Sequence, residues 1–221
     1  MTLKARLLLR MILAVIAFGM ILFWPAGSLR FWQGWVFLLT WFVIGVSAFA
    51  YFYKHDRQFI ERRLEFKERV QEQKTIMKFF YGFCLIAMVL PGLDHRFGWS
   101  HPPLWLTIFS QVALLSSFAM LLCVIKVNRF AARTIRVEPG QQVISTGPYA
   151  VLRHPMYLGG CAMFVFIPLA LGSYVTLPAF LVLIPLIVLR LLNEEKVLRA
   201  ELPGYSEYCL QVRYRLIPFI W

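Results

Sequence analysis

The longest apolar run in the sequence extends from Tyr157 to Leu192 and reads YLGGCAMFVFIPLALGSYVTLPAFLVLIPLIVLRLL. As a single helix it would be about 54 Å long at 1.5 Å per residue, whereas the hydrocarbon core of a bilayer is about 30 Å thick. The run therefore has to turn back on itself. Gly172 and Ser173 lie near its middle with a proline on each side, which is a typical turn signal. The sequence predicts a tight helical hairpin with arms of roughly Tyr157–Leu171 and Tyr174–Leu192.

Four further apolar runs are each compatible with one membrane helix. They are Leu8 to Pro25, Phe31 to Tyr53, Phe79 to Leu93 and Leu104 to Val127. The composition agrees, because 60% of the residues are hydrophobic and only 15% are charged, against about 45–50% and about 25% in soluble domains. We therefore predict an all-α integral membrane protein with about six membrane segments, the last two forming the hairpin.

The distribution of basic residues predicts the orientation of these segments. Of the 23 Lys and Arg, all but Arg30 and Arg96 lie in the N-terminus, the second and fourth loops and the tail. Because Lys and Arg favour cytoplasmic loops, we expect a multi-pass protein with both termini in the cytoplasm. The net charge of +12 then suits anionic membrane lipids, since the basic residues lie between apolar blocks rather than on a soluble nucleic-acid-binding face. We expect no obligate protein partner.

Two polar segments interrupt the apolar pattern. Residues of about 55–78 carry dense charge of both signs without Pro or Gly, which predicts a basic helix on the cytoplasmic surface. Residues 126–156 include the turn signal Glu138-Pro139-Gly140, which predicts a structured loop. We divide the chain accordingly into residues 1–125, holding the N-terminal membrane helices, and a catalytic region at 126–221. The four cysteines are scattered singly, so we expect neither disulfides nor a metal site.

Charged residues flank both ends of the hairpin. Arg153 and His154 precede it, and Arg190, Glu194 and Glu195 lie at its far end. Because a hairpin brings its ends together, these charges should converge on one patch, which is a candidate site. The alternative is that both arginines extend to the membrane surface while the glutamates pair with them.

Several ordered motifs surround that patch and carry a resemblance to a known family. They are GPYAVLRHPMYLG at 147–159, the Glu194-Glu195 pair, PGYSEY at 203–208 and VRYRLIP at 212–218. Each motif is weak alone, but together and in this order they resemble the isoprenylcysteine carboxyl methyltransferase family over about residues 126–221.

The resemblance implies an S-adenosylmethionine-dependent methyltransferase whose pocket opens to the cytoplasm. The amino-acid end of this cofactor needs a cation beside an anion, which Arg153 or His154 and Glu194 or Glu195 would provide. Carried over residue by residue, the cofactor contacts are Gln141, Gln142, Val143, Ile144, Tyr149, His154, Pro155, Met156, Tyr157 and Glu195. Catalytic or substrate-contacting roles fall on Arg153, Arg190 and Glu194, with Arg190 standing in for an arginine that directly precedes the acidic pair in the eukaryotic enzymes.

The expected reaction moves a methyl group to a lipophilic acceptor, small or lipid-linked. A carboxylate of an isoprenylcysteine-like or other membrane-soluble molecule suits the site, because a carboxylate needs no base. A phospholipid amine or a small thiol is one alternative. The other is an NADPH-dependent membrane reductase of the sterol reductase type, whose dinucleotide phosphates call for more cations than Arg153 and Arg190 supply.

Overall fold

The computed structural model describes residues 3–56, 60, 71–128, 130, 137 and 140–221. Within these ranges every regular element is helical and no strand occurs; the helix content is 76%. The predicted all-α fold is thereby confirmed. The α-helices are α1 (Leu3–Ala26), α2 (Trp32–His55), α3 (Gln71–Phe97), α4 (Leu104–Val127), α5 (Pro155–Ala170), α6 (Leu177–Leu181), α7 (Leu183–Glu201) and α8 (Tyr205–Gln211), and a 3₁₀ helix covers Gly147–Ala150.

Five helical stretches of the described chain are long and apolar enough to cross a membrane. They are Leu8–Ala26, Trp32–His55, Gln73–Phe97, Leu104–Val127 and Leu177–Glu201. Helix α5 is also apolar, but its 16 residues rise only about 24 Å. The structure thus has the six predicted apolar segments, of which five meet the length for a full crossing.

The predicted hairpin turn lies where the sequence places it. Helix α5 ends in a Schellman motif, in which the N–H of Gly172 donates to the carbonyl of Leu169 at 3.0 Å and the N–H of Ser173 donates to that of Pro168 at 2.9 Å. This motif needs a residue with positive φ after the last helical turn, and Gly172 has φ +74°. Glycine adopts this conformation without the steric cost that a Cβ would add.

The second arm of the hairpin differs from the prediction. We predict one helix from Tyr174 to Leu192, but the structure contains α6, a break at Val182, and then α7, which continues to Glu201. Pro185 explains the break, because it has no N–H to donate to the carbonyl of Leu181, while its position in the first turn of α7 is well tolerated.

Two predicted features fall largely on residues outside the described ranges. The predicted surface helix covers 57–59 and 61–70, which the structure does not describe, and its last residues form the start of α3. Of the predicted turn at 138–140, only Gly140 is described, with φ +75°. The boundary between residues 125 and 126 stays a prediction.

The closed end of the hairpin is held against the loop between α3 and α4. The Asp94 carboxylate accepts a hydrogen bond from the N–H of Ser100 at 2.7 Å and another from the Ser173 hydroxyl. All three residues lie at the same end of the bundle. The two arms therefore bring residues 153–157 and 190–195 together at the opposite end, which we call the open end of the hairpin.

Candidate functional site

A cleft lies at the open end of the hairpin, between the start of α5, the second half of α7 and helix α8. It encloses about 790 Å³, counting its open mouth. Most residues predicted for the site line it: Gln141, Gln142, Val143, Ile144, Tyr149, Arg153, His154, Met156, Tyr157 and Glu194. The structure thus gathers one loop, one helix start and one helix end around a single cavity.

Three predicted site residues do not line the cleft. Pro155 is buried as the first residue of α5, where its missing N–H costs nothing. Arg190 is buried in α7, where its Nη1 donates to Oε1 of Gln73 from α3 at 3.1 Å. Glu195 is buried beside the cleft and bound to residues of the chain itself.

Glu195 is the anion of a buried cluster of charges. Its Oε1 lies 2.8 Å from Nη1 of Arg153 and 3.4 Å from Nε2 of His154, and its Oε2 lies 3.1 Å from Nε of Arg215. The residue is only 4% exposed, so its charge is stabilised by these partners rather than by water. Each carboxylate oxygen of Glu195 thus already has an arginine partner, and its predicted contact with a ligand ammonium stays a prediction.

The neighbouring acid, Glu194, does line the cleft. Its carboxylate accepts a hydrogen bond from the hydroxyl of Tyr157, which belongs to the other arm of the hairpin, α5. Glu194 is half-buried, so a ligand in the cleft can reach a carboxylate whose position is fixed by α5. Of the acidic pair, Glu194 is the residue that the geometry offers to a ligand cation.

The C-terminal tail completes the wall around the charge cluster. The N–H groups of Arg153 and His154 donate to the carbonyls of Tyr214 and Arg215 at 2.9 and 3.0 Å. The Arg153 side chain also donates from Nη2 to the carbonyl of Arg213 at 2.7 Å. These contacts tie the tail to the start of α5 and place the Arg215 side chain on Glu195.

Part of the cleft lining is aromatic and apolar. The Tyr208 hydroxyl donates to the carbonyl of Tyr149 at 2.7 Å, and the Tyr149 hydroxyl accepts from Nδ2 of Asn128 at 3.0 Å. Burial raises the pKa of both Tyr205 and Tyr208 above its usual value. Both phenols therefore stay protonated.

Sequence reasoning missed a second set of lining residues: Asn128, Phe130, Leu198, Leu202, Tyr205 and Tyr208. Part of this set had a detectable signal. Leu198 and Leu202 follow Glu194 at intervals of four, which places all three on one face of a helix. The two tyrosines lie in the PGYSEY motif of the tail, which the sequence allows to lie on lipid headgroups and which the family resemblance expects to cover the cofactor; neither tyrosine was assigned a contact. Among the described residues, no group of three His, Cys, Asp or Glu side chains is arranged to hold a metal ion.

Comparison with known proteins agrees with the resemblance drawn from the motifs. Residues 105–202, from α4 to just beyond α7, match the family model described as phospholipid methyltransferase. That family belongs to the isoprenylcysteine carboxyl methyltransferase-type group of membrane methyltransferases. The predicted resemblance to this group is thus confirmed over residues 105–202.

A curated relative comes from a different enzyme class. Delta(14)-sterol reductase of Mus musculus is 35% identical to this chain over 91 residues, which are 40% of this chain and 22% of the reductase. The chain thus spans about a fifth of the length of that relative. The similarity is consistent with the reductase alternative considered above.

Proposed function

We propose that this protein, whose residues 105–202 match a membrane methyltransferase family, transfers a methyl group from S-adenosylmethionine to a lipophilic acceptor at the cleft. The observation that carries the proposal is that one cleft is lined both by the charged Glu194 and Arg153 and by aromatic and apolar side chains, Tyr149 among them. Few small metabolites combine a zwitterionic end with a flat, apolar-faced ring. This cofactor has both.

The residues of the cleft fit the parts of that cofactor. The Glu194 carboxylate suits the ammonium group, because charge-assisted hydrogen bonds are about twice as strong as neutral ones. Val143 and Ile144, with the ring of Tyr149, offer apolar and aromatic surface to the adenine. When bound, the cofactor supplies a methyl group carried on a positively charged sulfur.

The acceptor that the cleft favours is a membrane-soluble carboxylate. An amine or thiol has to lose a proton, whereas a carboxylate is already anionic and needs no base. Glu195 is held by three partners, and Glu194 accepts from Tyr157, so both acids already have structural partners. A phospholipid amine is the second candidate, and the name of the matching family supports it.

The two acceptors are separated by the chemistry of the product. We expect membranes containing the protein to transfer tritiated methyl groups from S-adenosylmethionine to a lipid-soluble product that releases volatile methanol in alkali, as methyl esters do. Label that stays in the lipid fraction after alkali, and co-migrates with N-methylated phospholipid, would instead establish the amine acceptor. A lysate without the protein gives the background.

The cytoplasmic position of the cleft is part of the same proposal. Arg153, Arg190, Arg213 and Arg215 all belong to the basic segments that favour the cytoplasm, and all lie at the open end of the hairpin. A soluble cofactor would then enter from the cytoplasm while the acceptor enters from the membrane.

The reductase alternative meets an electrostatic difficulty. NADPH carries a diphosphate and a further phosphate, which proteins bind with several cations. Among the described residues that line the cleft, Arg153 is the single arginine and there is no lysine. Both terminal nitrogens of Arg153 are already bonded, to Glu195, Cys209 and the carbonyl of Arg213.

Binding by the purified protein tests the cofactor directly. In detergent we expect S-adenosylhomocysteine to bind with a Kd at or below about 1 µM, equivalent to about −8 kcal/mol, and NADPH to bind much more weakly. Isothermal titration calorimetry with both ligands measures this. Tighter binding of NADPH would contradict the proposal and support the reductase alternative.

A further inference from the structure

Two residues in the wall of the cleft contain buried hydrogen-bond donors without a partner. The hydroxyl of Tyr205 and Nε of Arg153 each have no hydrogen-bonding partner among the residues that the structure describes. Tyr205 is 4% exposed and Arg153 is 8% exposed. Because a buried polar atom without a partner costs free energy, each such atom in a native protein requires an explanation. A ligand group bound in the cleft would provide one.

The protonation states of these two side chains determine the kind of group that they can bind. Arginine is always protonated in proteins, and burial keeps the Tyr205 phenol protonated by raising its pKa. Both atoms are therefore donors. The terminal nitrogens of Arg153 are bonded to Glu195, Cys209 and Arg213, whereas Nε has no partner among the described residues. Two donors, one of them cationic, are suited to an anion.

The two donors belong to the same part of the cleft. Tyr205 lies close enough to Arg153, Glu194 and Glu195 for all three charges to act on its hydroxyl. Arg153 and Glu194 line the same cleft as Tyr205. Donors for an anion therefore lie beside a carboxylate that can accept from a cation.

The backbone around Tyr205 holds the ring in this position. Gly204 precedes it with φ +81°, and the N–H of Tyr205 donates to the carbonyl of Leu202 at 3.2 Å. The ring packs in a buried cluster with Leu202 and Val212 and lies 5.8 Å from the ring of Tyr208. The ring that carries the hydroxyl is thus packed among buried neighbours.

We propose that Tyr205 and Arg153 form a subsite for the carboxylate of the ligand's amino-acid end, while Glu194 accepts hydrogen bonds from its ammonium. This inference rests on the proposed function and adds a specificity-determining residue, Tyr205, which neither the motifs nor the family match assigned. The subsite selects nucleosides that carry a free amino acid.

A pair of ligands and a pair of variants test the subsite. S-adenosylhomocysteine contains the amino-acid end, and 5′-methylthioadenosine shares the nucleoside and the thioether but lacks that end. We expect Tyr205→Phe to raise the Kd of S-adenosylhomocysteine by about ten- to a hundredfold, since a hydrogen bond to a charged group contributes about 1.5–3 kcal/mol. The Kd of 5′-methylthioadenosine should change by less than about twofold, because it makes no contact with the removed hydroxyl.

Tyr208→Phe is the matched comparison, since it removes a tyrosine hydroxyl in the same helix, one that does have a hydrogen-bond partner. The Tyr208 hydroxyl donates to the carbonyl of Tyr149, so we expect Tyr208→Phe to unfold more easily than the parent. Its effect on the Kd should be the same for both ligands. Tyr205→Phe should unfold no more easily than the parent, because the lost hydroxyl has no partner among the described residues. Calorimetry and unfolding in detergent give the two measurements.

The remaining outcomes each overturn one statement. Equal weakening of both ligands by Tyr205→Phe would mean that the residue shapes the nucleoside site, and no change in either would mean that its hydroxyl does not meet the ligand. Either result overturns the carboxylate subsite and leaves the proposed function standing. A parent protein that binds neither ligand overturns the proposed function, and the subsite with it.

Discussion

We expect Glu195→Gln to lower the free energy of unfolding by about 3–5 kcal/mol, the usual cost of removing one partner of a buried ion pair. The Arg153 side chain is 7% exposed and has its only described charge partner in Glu195 at 2.8 Å. A neutral amide would leave this guanidinium in a low-dielectric environment without a counter-charge. Arg215, whose side chain is 32% exposed, can recover hydration and contributes less to the loss.

The measurement is an unfolding titration in which SDS is added to the protein in a mild detergent. Glu201→Gln is the matched control, because Glu201 is exposed at the end of the same helix, and its effect should stay within about 0.5 kcal/mol. If Glu195→Gln is as stable as the parent, the charge cluster is hydrated and does not hold the tail to α5.

The hairpin shows which part of the fold the sequence could predict. A run too long for one bilayer crossing must turn, and Gly172 is a residue that can adopt the conformation that ends α5. The break at Val182 was not predicted, since proline at the first turn of a helix and proline that interrupts a helix look the same in sequence. The two cases can be distinguished only when the residue at which the helix containing Pro185 begins is known.

For the site, the sequence predicted which segments meet but not which face of α7 lines the cleft. Residues 141–157 and the acidic pair converge because the hairpin brings its ends together. Glu194 and Glu195 are about 100° apart around α7, and which of them lines the cleft depends on how α7 packs against α5 and α3. That rotation is set by tertiary contacts such as the pair of Arg190 and Gln73.

The tail illustrates a second limit of the sequence. Arg215 reaches Glu195 because the backbone of residues 214 and 215 pairs with the start of α5. Such pairing between distant irregular segments has no periodic signature. The basic and aromatic composition of the tail is equally compatible with a segment lying on lipid headgroups.

The second large effect is expected at the opposite end of the bundle, where α3 packs closely on α1. A Cβ at Gly92 would lie 2.5 Å from the carbonyl oxygen of Leu22 and 3.2 Å from the backbone nitrogen of Ala26. Backbone atoms cannot turn aside as a side chain can, so Gly92→Val should force the two helices apart. We expect the free energy of unfolding to fall by about 3 kcal/mol or more, at the upper end of the range for overpacking.

Gly82→Val is the matched control for this substitution, because Gly82 lies in the same helix and a Cβ there meets no atom of the described residues within 4 Å. Both variants carry the same helix propensity cost, so their difference isolates the contact with α1. Equal destabilisation would show that valine's propensity is the cause. Gly92 lies roughly 28 Å along α3 from Gln73, which contacts Arg190 below the cleft. A folded Gly92→Val protein should therefore still bind S-adenosylhomocysteine within about twofold of the parent, since sites this far apart act independently.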